Sequence, residues 1–118
     1  MNAPARSRSW RCRAETVPPG RATRFQIARD GAIVAGFIAN HAGRHRAYVN
    51  CCPHAGAMLD ARPNEFFTED GRFLVCGTHG AIFDPETGIC TEGPCPGARL
   101  DPLAVSRDGD DVIVTCPD

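Results

Sequence analysis

The strongest constraint on this chain is a pair of short segments that each carry one cysteine and one histidine. Cys52-Pro53-His54 has one residue between its two ligand-type side chains, and Cys76-Gly77-Thr78-His79 has two. Twenty-one residues separate the two segments. Thiolate sulfur and imidazole nitrogen are side-chain donors for transition metals. We therefore expect the chain to fold so that both segments meet at one metal centre.

Two kinds of centre use two cysteines and two histidines. Zinc binds such a set in tetrahedral geometry. One type of [2Fe–2S] cluster places two cysteines on one iron and two histidines on the other. Zinc knuckles seldom have a single residue between cysteine and histidine, and the glycine-rich run after His79 has no role in a zinc site. The pattern therefore favours the iron–sulfur cluster, and zinc is the alternative.

Proline and glycine near the four candidate ligands favour tight loops. Pro53 fixes φ within the first segment. Gly56, Gly77 and Gly80 allow sharp chain reversals and a close approach of the backbone to a bound group. Because two loops can converge on one point without interrupting a sheet, we expect both segments to lie on loops.

The run from His79 to Gly88 extends the pattern, because it reads His-Gly-Ala-Ile-Phe-Asp-Pro-Glu-Thr-Gly. Together with the two cysteine–histidine segments, this run resembles the small Rieske-type ferredoxins and stand-alone Rieske domain proteins. The resemblance extends from about Arg24 to the C-terminus. It implies one [2Fe–2S] cluster per chain as the cofactor.

The resemblance also implies which residues bind the cluster. Cys52 and Cys76 would hold the inner, buried iron. His54 and His79 would hold the outer iron, with their imidazole edges near solvent. The loop around residues 93–96, which reads Gly-Pro-Cys-Pro, would cover the cluster.

The function implied by the resemblance is one-electron transfer from a reductase to an oxygenase or a similar oxidoreductase. The expected partners are redox proteins, and with no catalytic residues of its own the chain is not expected to be an enzyme by itself. Two alternatives stay open: an accessory small subunit of a larger oxidoreductase, as in nitrite reductase, or a zinc-bound or metal-free interaction domain. A Rieske oxygenase is not expected, because its second iron site needs more chain than 118 residues provide.

Short β-forming runs alternate with turn signals along the chain. Strands are predicted at 24–28, 32–38, 46–49, 64–68, 72–76 and 112–115. Turn residues lie between them at 30–31, 42–43, 69–71 and 108–110. We expect an all-β fold of small antiparallel sheets, in a sandwich or open barrel, with a cluster-binding subdomain of two ligand loops at about 50–98.

The length allows one domain, predicted at 11–118, after a disordered leader at 1–10. Trp10 is expected to be a loosely ordered residue of that leader. No stretch approaches the roughly 18 apolar residues of a membrane span, and no apolar signal segment precedes the domain. We therefore expect a cytoplasmic protein that does not bind membranes.

Charge is distributed unevenly along the chain. Residues 1–50 hold nine arginines and two acidic residues, whereas residues 51–118 hold four arginines and twelve acidic residues. The chain has no lysine, and few aromatic residues lie among the arginines, so nucleic acid is not an expected partner. The split indicates either a solvated surface or an acidic half that steers toward a basic partner.

The remaining cysteines and histidines are not expected to bind the cluster. Cys51 should point away from the centre, because successive residues of extended chain face opposite sides. Cys90 and Cys95 frame a four-residue loop and could pair, although free thiols are favoured in a reducing compartment. His41 and His45 are expected to be exposed hairpin residues.

The reduction potential is expected to be low for a Rieske centre. High-potential relatives carry an extra disulfide between the ligand loops, and the corresponding positions here are Ala57 and Gly77. That bridge cannot form. We therefore expect a potential near the lower end of a range of roughly −150 to +300 mV.

Overall fold

The polypeptide folds almost entirely into β-strands and loops. The structure is a computed structural model that describes residues 8–53, 57–60, 62–78 and 80–116. Within these ranges, no helix has the length and apolarity of a membrane span. The strands are β1 (Ser9–Arg13), β2 (Ala22–Arg29), β3 (Ala32–His41), β4 (Arg44–Val49), β5 (Leu74–Val75), β6 (Ile82–Phe83), β7 (Cys90–Glu92), β8 (Pro102–Asp108) and β9 (Asp111–Thr115). The predicted all-β class is confirmed.

The six longer strands form one antiparallel sheet that curls toward a barrel. Its strand order is β1-β9-β8-β4-β3-β2, so β1 and β2 are the two edges. Trp10 on β1 stacks on Phe25 of β2, with ring centroids 4.6 Å apart. This stack brings the two edges of the sheet together and reduces the exposed edge that an open sheet would leave.

The position of Trp10 differs from the sequence prediction of a loosely ordered leader residue. Ser9–Arg13 pairs in register with Asp111–Thr115, and Trp10 lies opposite Val114. The partner strand is at the other end of the chain, so local composition gives no sign of it. Residues 1–7 of the predicted leader lie outside the described residues.

Two predicted hairpin turns are confirmed. Asp30-Gly31 connects β2 to β3, and Ala42-Gly43 connects β3 to β4. Both residues of each turn have positive φ, at 49° and 79° in the first turn and 54° and 90° in the second. Two central residues with positive φ are typical of the type I′ turn, whose twist matches that of the flanking strands.

Strands β3 and β4 form a wall with an apolar core on each side. Phe37 and Tyr48 pack into one core, whereas their neighbours Ile38 and Ala47 pack into the other. Consecutive side chains of a strand point to opposite faces. For this reason residues 36–40 are buried without interruption. We call this strand pair the shared wall.

The two cores fill different parts of the molecule. The barrel core lies inside the curled sheet and includes Ile27, Val112 and Val114. The second core lies beneath the small antiparallel sheet β5-β6-β7. There Phe37 from the shared wall stacks on Phe66, with ring centroids 4.1 Å apart.

The segment 64–68 is not the strand that its sequence predicts, although Phe67 forms an isolated bridge with Leu74. Asn64 has a φ of 68°. Its N–H donates to the carboxylate of Asp60 at 3.0 Å. A residue in the left-handed region that is tied to a preceding loop cannot continue an extended strand.

Tyr48 attaches the loop at 84–88 to the shared wall. Its hydroxyl donates to the carbonyl of Pro85 at 2.8 Å, and burial raises the pKa of Tyr48 to about 12. Gly88 has a φ of +77°, and a Cβ there would lie 2.7 Å from the Tyr48 ring. Glycine at position 88 therefore permits both the turn and the close packing.

Glu86 forms a second attachment between this loop and the shared wall. Its carboxylate lies 2.7 Å from Nδ1 of His41, 3.2 Å from Nη2 of Arg46 and 3.5 Å from Nη1 of Arg44. These contacts, led by the hydrogen bond to His41, lower the pKa of Glu86. His41 and His45 are half-buried rather than exposed as predicted, and Nε2 of His45 lies 3.0 Å from the carbonyl of Val17.

We predict that Glu86→Gln lowers the free energy of unfolding by about 1 kcal/mol at neutral pH. Because the folded-state pKa of Glu86 is lowered, its contribution is present above the unfolded pKa of about 4.3 and is lost as pH falls through the folded value. The difference in free energy of unfolding between the parent and Glu86→Gln should therefore become smaller at acidic pH. Urea unfolding at neutral and acidic pH measures it, with exposed Glu69→Gln as the control. A difference that does not depend on pH would contradict this account.

Candidate metal centre

Cys52 and Cys76 lie on two loops that contribute to the same core. Cys52 follows β4, and Cys76 directly follows β5. Their exposed fractions are 1% and 0%, and both belong to the second core. Cys51 is exposed, in agreement with the prediction that it points the opposite way. The buried cysteines are therefore a sulfur donor pair sheltered from water.

Each of the two loops is closed by its own backbone hydrogen bond, and the two bonds have the same spacing along the chain. The N–H of Cys52 donates to the carbonyl of Ala57 at 2.7 Å, five residues later. The N–H of Cys76 donates to the carbonyl of Ala81 at 2.9 Å, again five residues later. Cys52 and Cys76 therefore each begin a loop whose ends are joined, and the described residues of the two segments, 52–53 and 76–78, are not in a strand.

The two loops are also joined to each other. The N–H of Gly77, next to Cys76, donates to the carbonyl of Leu59 at 2.9 Å. The N–H of Leu59 donates to the side-chain oxygen of Asn50 at 2.9 Å. Asn50 precedes Cys52 by two residues, so a short hydrogen-bonded path connects the chain beside one cysteine with the chain beside the other.

The buried carboxylate of Asp60 completes this path. It accepts a hydrogen bond from the Asn50 amide at 2.9 Å, in addition to the one from the Asn64 N–H. Arg24 lies 3.6 Å from the same carboxylate, whose side chain has an exposed fraction of 0%. A buried charge needs such partners to offset its loss of hydration. We call Asn50, Leu59 and Asp60 the loop brace.

The histidines of the predicted ligand set, His54 and His79, lie outside the described residues. Among the residues that are described, no group of three or more His, Cys, Asp or Glu side chains forms a metal site. The described residues therefore include only the two cysteines of the predicted ligand set. The two described members of the set, Cys52 and Cys76, are buried and lie on joined loops. Such a pair fits the iron that two cysteines bind in a mixed-ligand [2Fe–2S] cluster. The assignment of all four ligands stays a prediction.

A third loop lies against the second cysteine loop. Gly93 has a φ of +101°, and a Cβ there would lie 2.9 Å from the Cα of Ala81. Burial, followed by the hydrogen bond to Cys90, raises the pKa of Cys95 to about 11. Cys95 also packs against the second core, which contains Cys52 and Cys76. The 93–96 loop therefore borders the candidate centre.

The sequence comparison with protein families decides which class of domain this is. A family model described as the Rieske [2Fe-2S] domain matches residues 7–116, which include both cysteine–histidine segments. The chain belongs to the Rieske [2Fe-2S] domain family. The match extends further toward the N-terminus than the resemblance from about Arg24, and it includes β1. A search of curated protein sequences found no match.

Solved structures with a similar fold include ferredoxins. The ferredoxin of carbazole 1,9a-dioxygenase from Nocardioides aromaticivorans IC177 is 25% identical, with a TM-score of 0.70 over 94% of this chain and 100% of that one. The Sphingomonas yanoikuyae B1 ferredoxin is 24% identical, with a TM-score of 0.66 over 90% and 95%. A complex of reduced oxygenase and oxidized ferredoxin in carbazole 1,9a-dioxygenase contains a chain that is 24% identical, with a TM-score of 0.70 over 92% and 94%. These similarities show that this chain has the same all-β fold as the matched ferredoxin chains.

Sequence reasoning did not identify the loop brace. Asn50 stands two residues before Cys52, and Asp60 lies between the two ligand segments. Either residue could equally be an exposed loop residue on composition alone. The burial of Asp60 follows from packing against distant parts of the chain, including Arg24, and no local sequence signal reports it.

We predict that Asp60→Ala lowers the free energy of unfolding of the Rieske domain by about 3 kcal/mol, because it leaves buried donors without an acceptor. Asp60→Asn retains one acceptor oxygen and should lose less. Urea unfolding measures both variants, with the exposed Glu65→Ala as the control. Equal stability of Asp60→Ala and the parent would show that the brace does not stabilise the loops.

Proposed function

We propose that this protein is a one-electron carrier that uses a single Rieske [2Fe–2S] cluster. The observation that carries the proposal is the family match over residues 7–116, which contains both cysteine–histidine segments. The burial of Cys52 and Cys76 in one core supports it. The bound cluster supplies a couple that accepts and releases one electron.

In this proposal the chain holds the cluster through four side chains. Cys52 and Cys76 bind the inner iron, and His54 and His79 bind the outer iron. The apolar second core shields the cysteine side from water, and the loop brace holds the two loops together. We assign these roles to a cluster-binding subdomain at about 50–98, within a domain at 11–118.

The proposed partners are a reductase that delivers electrons and an oxygenase or similar oxidoreductase that receives them. The structural similarity to the ferredoxin in the oxygenase–ferredoxin complex of carbazole 1,9a-dioxygenase supports this kind of partner. The proposal places the protein in the cytoplasm, where a reducing environment keeps cysteine thiols available for the cluster. It assigns no substrate chemistry to the chain itself.

We predict that purified protein contains about two irons and two sulfides per chain and shows the visible absorption of a [2Fe–2S] centre. Cys52→Ser and His79→Ala should each lose iron and sulfide, because each removes a ligand. Metal analysis, together with an EPR spectrum of the reduced protein, measures the loss. Colourless protein with one zinc per chain would instead indicate a zinc-stabilised interaction domain.

Matched controls separate ligand loss from general damage. Cys51→Ser changes the exposed neighbour of Cys52 and should retain iron and sulfide. His41→Gln keeps a hydrogen-bonding side chain beside Glu86 and should also retain them. Iron loss in these controls with retention in His79→Ala would overturn the ligand assignment.

We predict a reduction potential below about +100 mV, in the lower part of the Rieske range. The reason is that Ala57 and Gly77 cannot form the extra disulfide of high-potential relatives. A redox titration followed by visible absorption measures the potential. A value well above that limit would show that other features of the loops set it.

A further inference from the structure

Cys90 and Cys95 are two free thiols in direct contact. The distance between their sulfur atoms is 3.4 Å, whereas a disulfide brings two sulfurs to about 2.05 Å. Neither residue belongs to the proposed ligand set. The thiol of Cys90 also donates to the carbonyl of Glu92 at 3.2 Å, within the loop that the two cysteines frame.

Backbone hydrogen bonds hold the two cysteines opposite each other. The N–H of Cys90 donates to the carbonyl of Ala98 at 2.7 Å, and the carbonyl of Cys90 accepts from Gly97 at 2.9 Å. The N–H of Ala98 donates to the carbonyl of Cys95 at 3.0 Å. Because the folded chain already brings the thiols together, little further loop-closure entropy is lost when they are joined.

The two thiols differ in access to solvent. Cys90 has an exposed fraction of 2%, whereas Cys95 is half-buried. A small reagent therefore reaches Cys95 first, and Cys90 is in place to react second. A solvent-accessible thiol beside a second, resolving thiol is common at sites of reversible cysteine oxidation.

We propose that Cys90 and Cys95 form a reversible dithiol–disulfide site whose oxidant is a low-molecular-weight disulfide of the glutathione type. The thiolate of Cys95 attacks one sulfur of the small disulfide, forms a mixed disulfide and releases one small thiolate. The thiolate of Cys90 then attacks the sulfur of Cys95 and releases the second. The two protein thiols lose two electrons and two protons, and the small disulfide is reduced to two thiols.

The site borders the candidate metal centre. Gly93, inside the loop that the pair frames, lies against Ala81 and the carbonyl of Gly80. Gly80 directly follows His79 in the chain. Oxidation of the pair therefore takes place in a loop that touches the two residues directly after the second candidate ligand segment. The pair itself uses no iron, so the inference does not depend on the proposed function.

The test incubates the full-length protein, as purified, with oxidised glutathione in alkaline buffer, because burial raises the pKa of Cys95 and only a small fraction of this thiol is thiolate near neutral pH. Remaining thiols are alkylated, and mass spectrometry maps the peptides. We expect an internal Cys90–Cys95 disulfide, seen as a peptide lighter by two hydrogens, and its loss on treatment with dithiothreitol. Iron and sulfide are determined on the same sample, so that failure of the proposed function is recognised separately.

Three variants test the assigned roles. Cys90→Ser should stop at a glutathione adduct on Cys95, because the resolving thiol is missing. Cys95→Ser should abolish both the adduct and the disulfide at this loop. Cys12→Ser, which changes a half-buried cysteine on β1, should form the Cys90–Cys95 disulfide to the same extent as the parent. Absence of the disulfide in the parent, or pairing of Cys95 mainly with another cysteine, would overturn the proposal.

Discussion

The burial of β3 and β4 on both faces is the constraint on which the rest of the structure depends. Phe37 and Tyr48 on one face and Ile38 and Ala47 on the other place an apolar core on each side of this strand pair. The barrel core lets the six-stranded sheet curl until Trp10 meets Phe25. The second core receives Cys52 and Cys76, so the candidate centre rests on the same two strands that stabilise the barrel.

In the folded protein, basic residues from the early part of the chain form ion pairs with acidic residues from the later part. Among the described residues, arginines of the first fifty positions form ion pairs with six acidic residues from the later part of the chain. These acidic residues are Asp60, Glu86, Asp101, Asp108, Asp110 and Asp111. The surface pairs contribute little individually to stability, but Asp60 is buried and its charge needs Arg24 and the loop hydrogen bonds. These ion pairs therefore offset part of the negative charge that suggested steering toward a basic partner.

Sequence reasoning was most accurate where the signal is local. The turns at Asp30-Gly31 and Ala42-Gly43 were predicted because few residues tolerate positive φ, and Cys51 and Cys52 point in opposite directions, as an extended chain requires. It was least accurate where a distant partner decides the structure. The short strand at residues 9–13 exists because β9 pairs with it, and the segment 64–68 is not extended because Asn64 is held by Asp60. The four predicted ligands are read from spacing, and the structure describes the two cysteines among them.

The sequence by itself determined the chemistry of the candidate centre and the β class, because ligand type, ligand spacing and turn residues are properties of neighbouring positions. Only the tertiary structure decided the closure of the sheet edges, the burial of Asp60 in the loop brace and the contact between the sulfurs of Cys90 and Cys95. Each of these depends on how segments far apart in the chain, or the two ends of a folded loop, are placed in space. Such placement follows from the packing of the whole molecule, which no local stretch of sequence encodes.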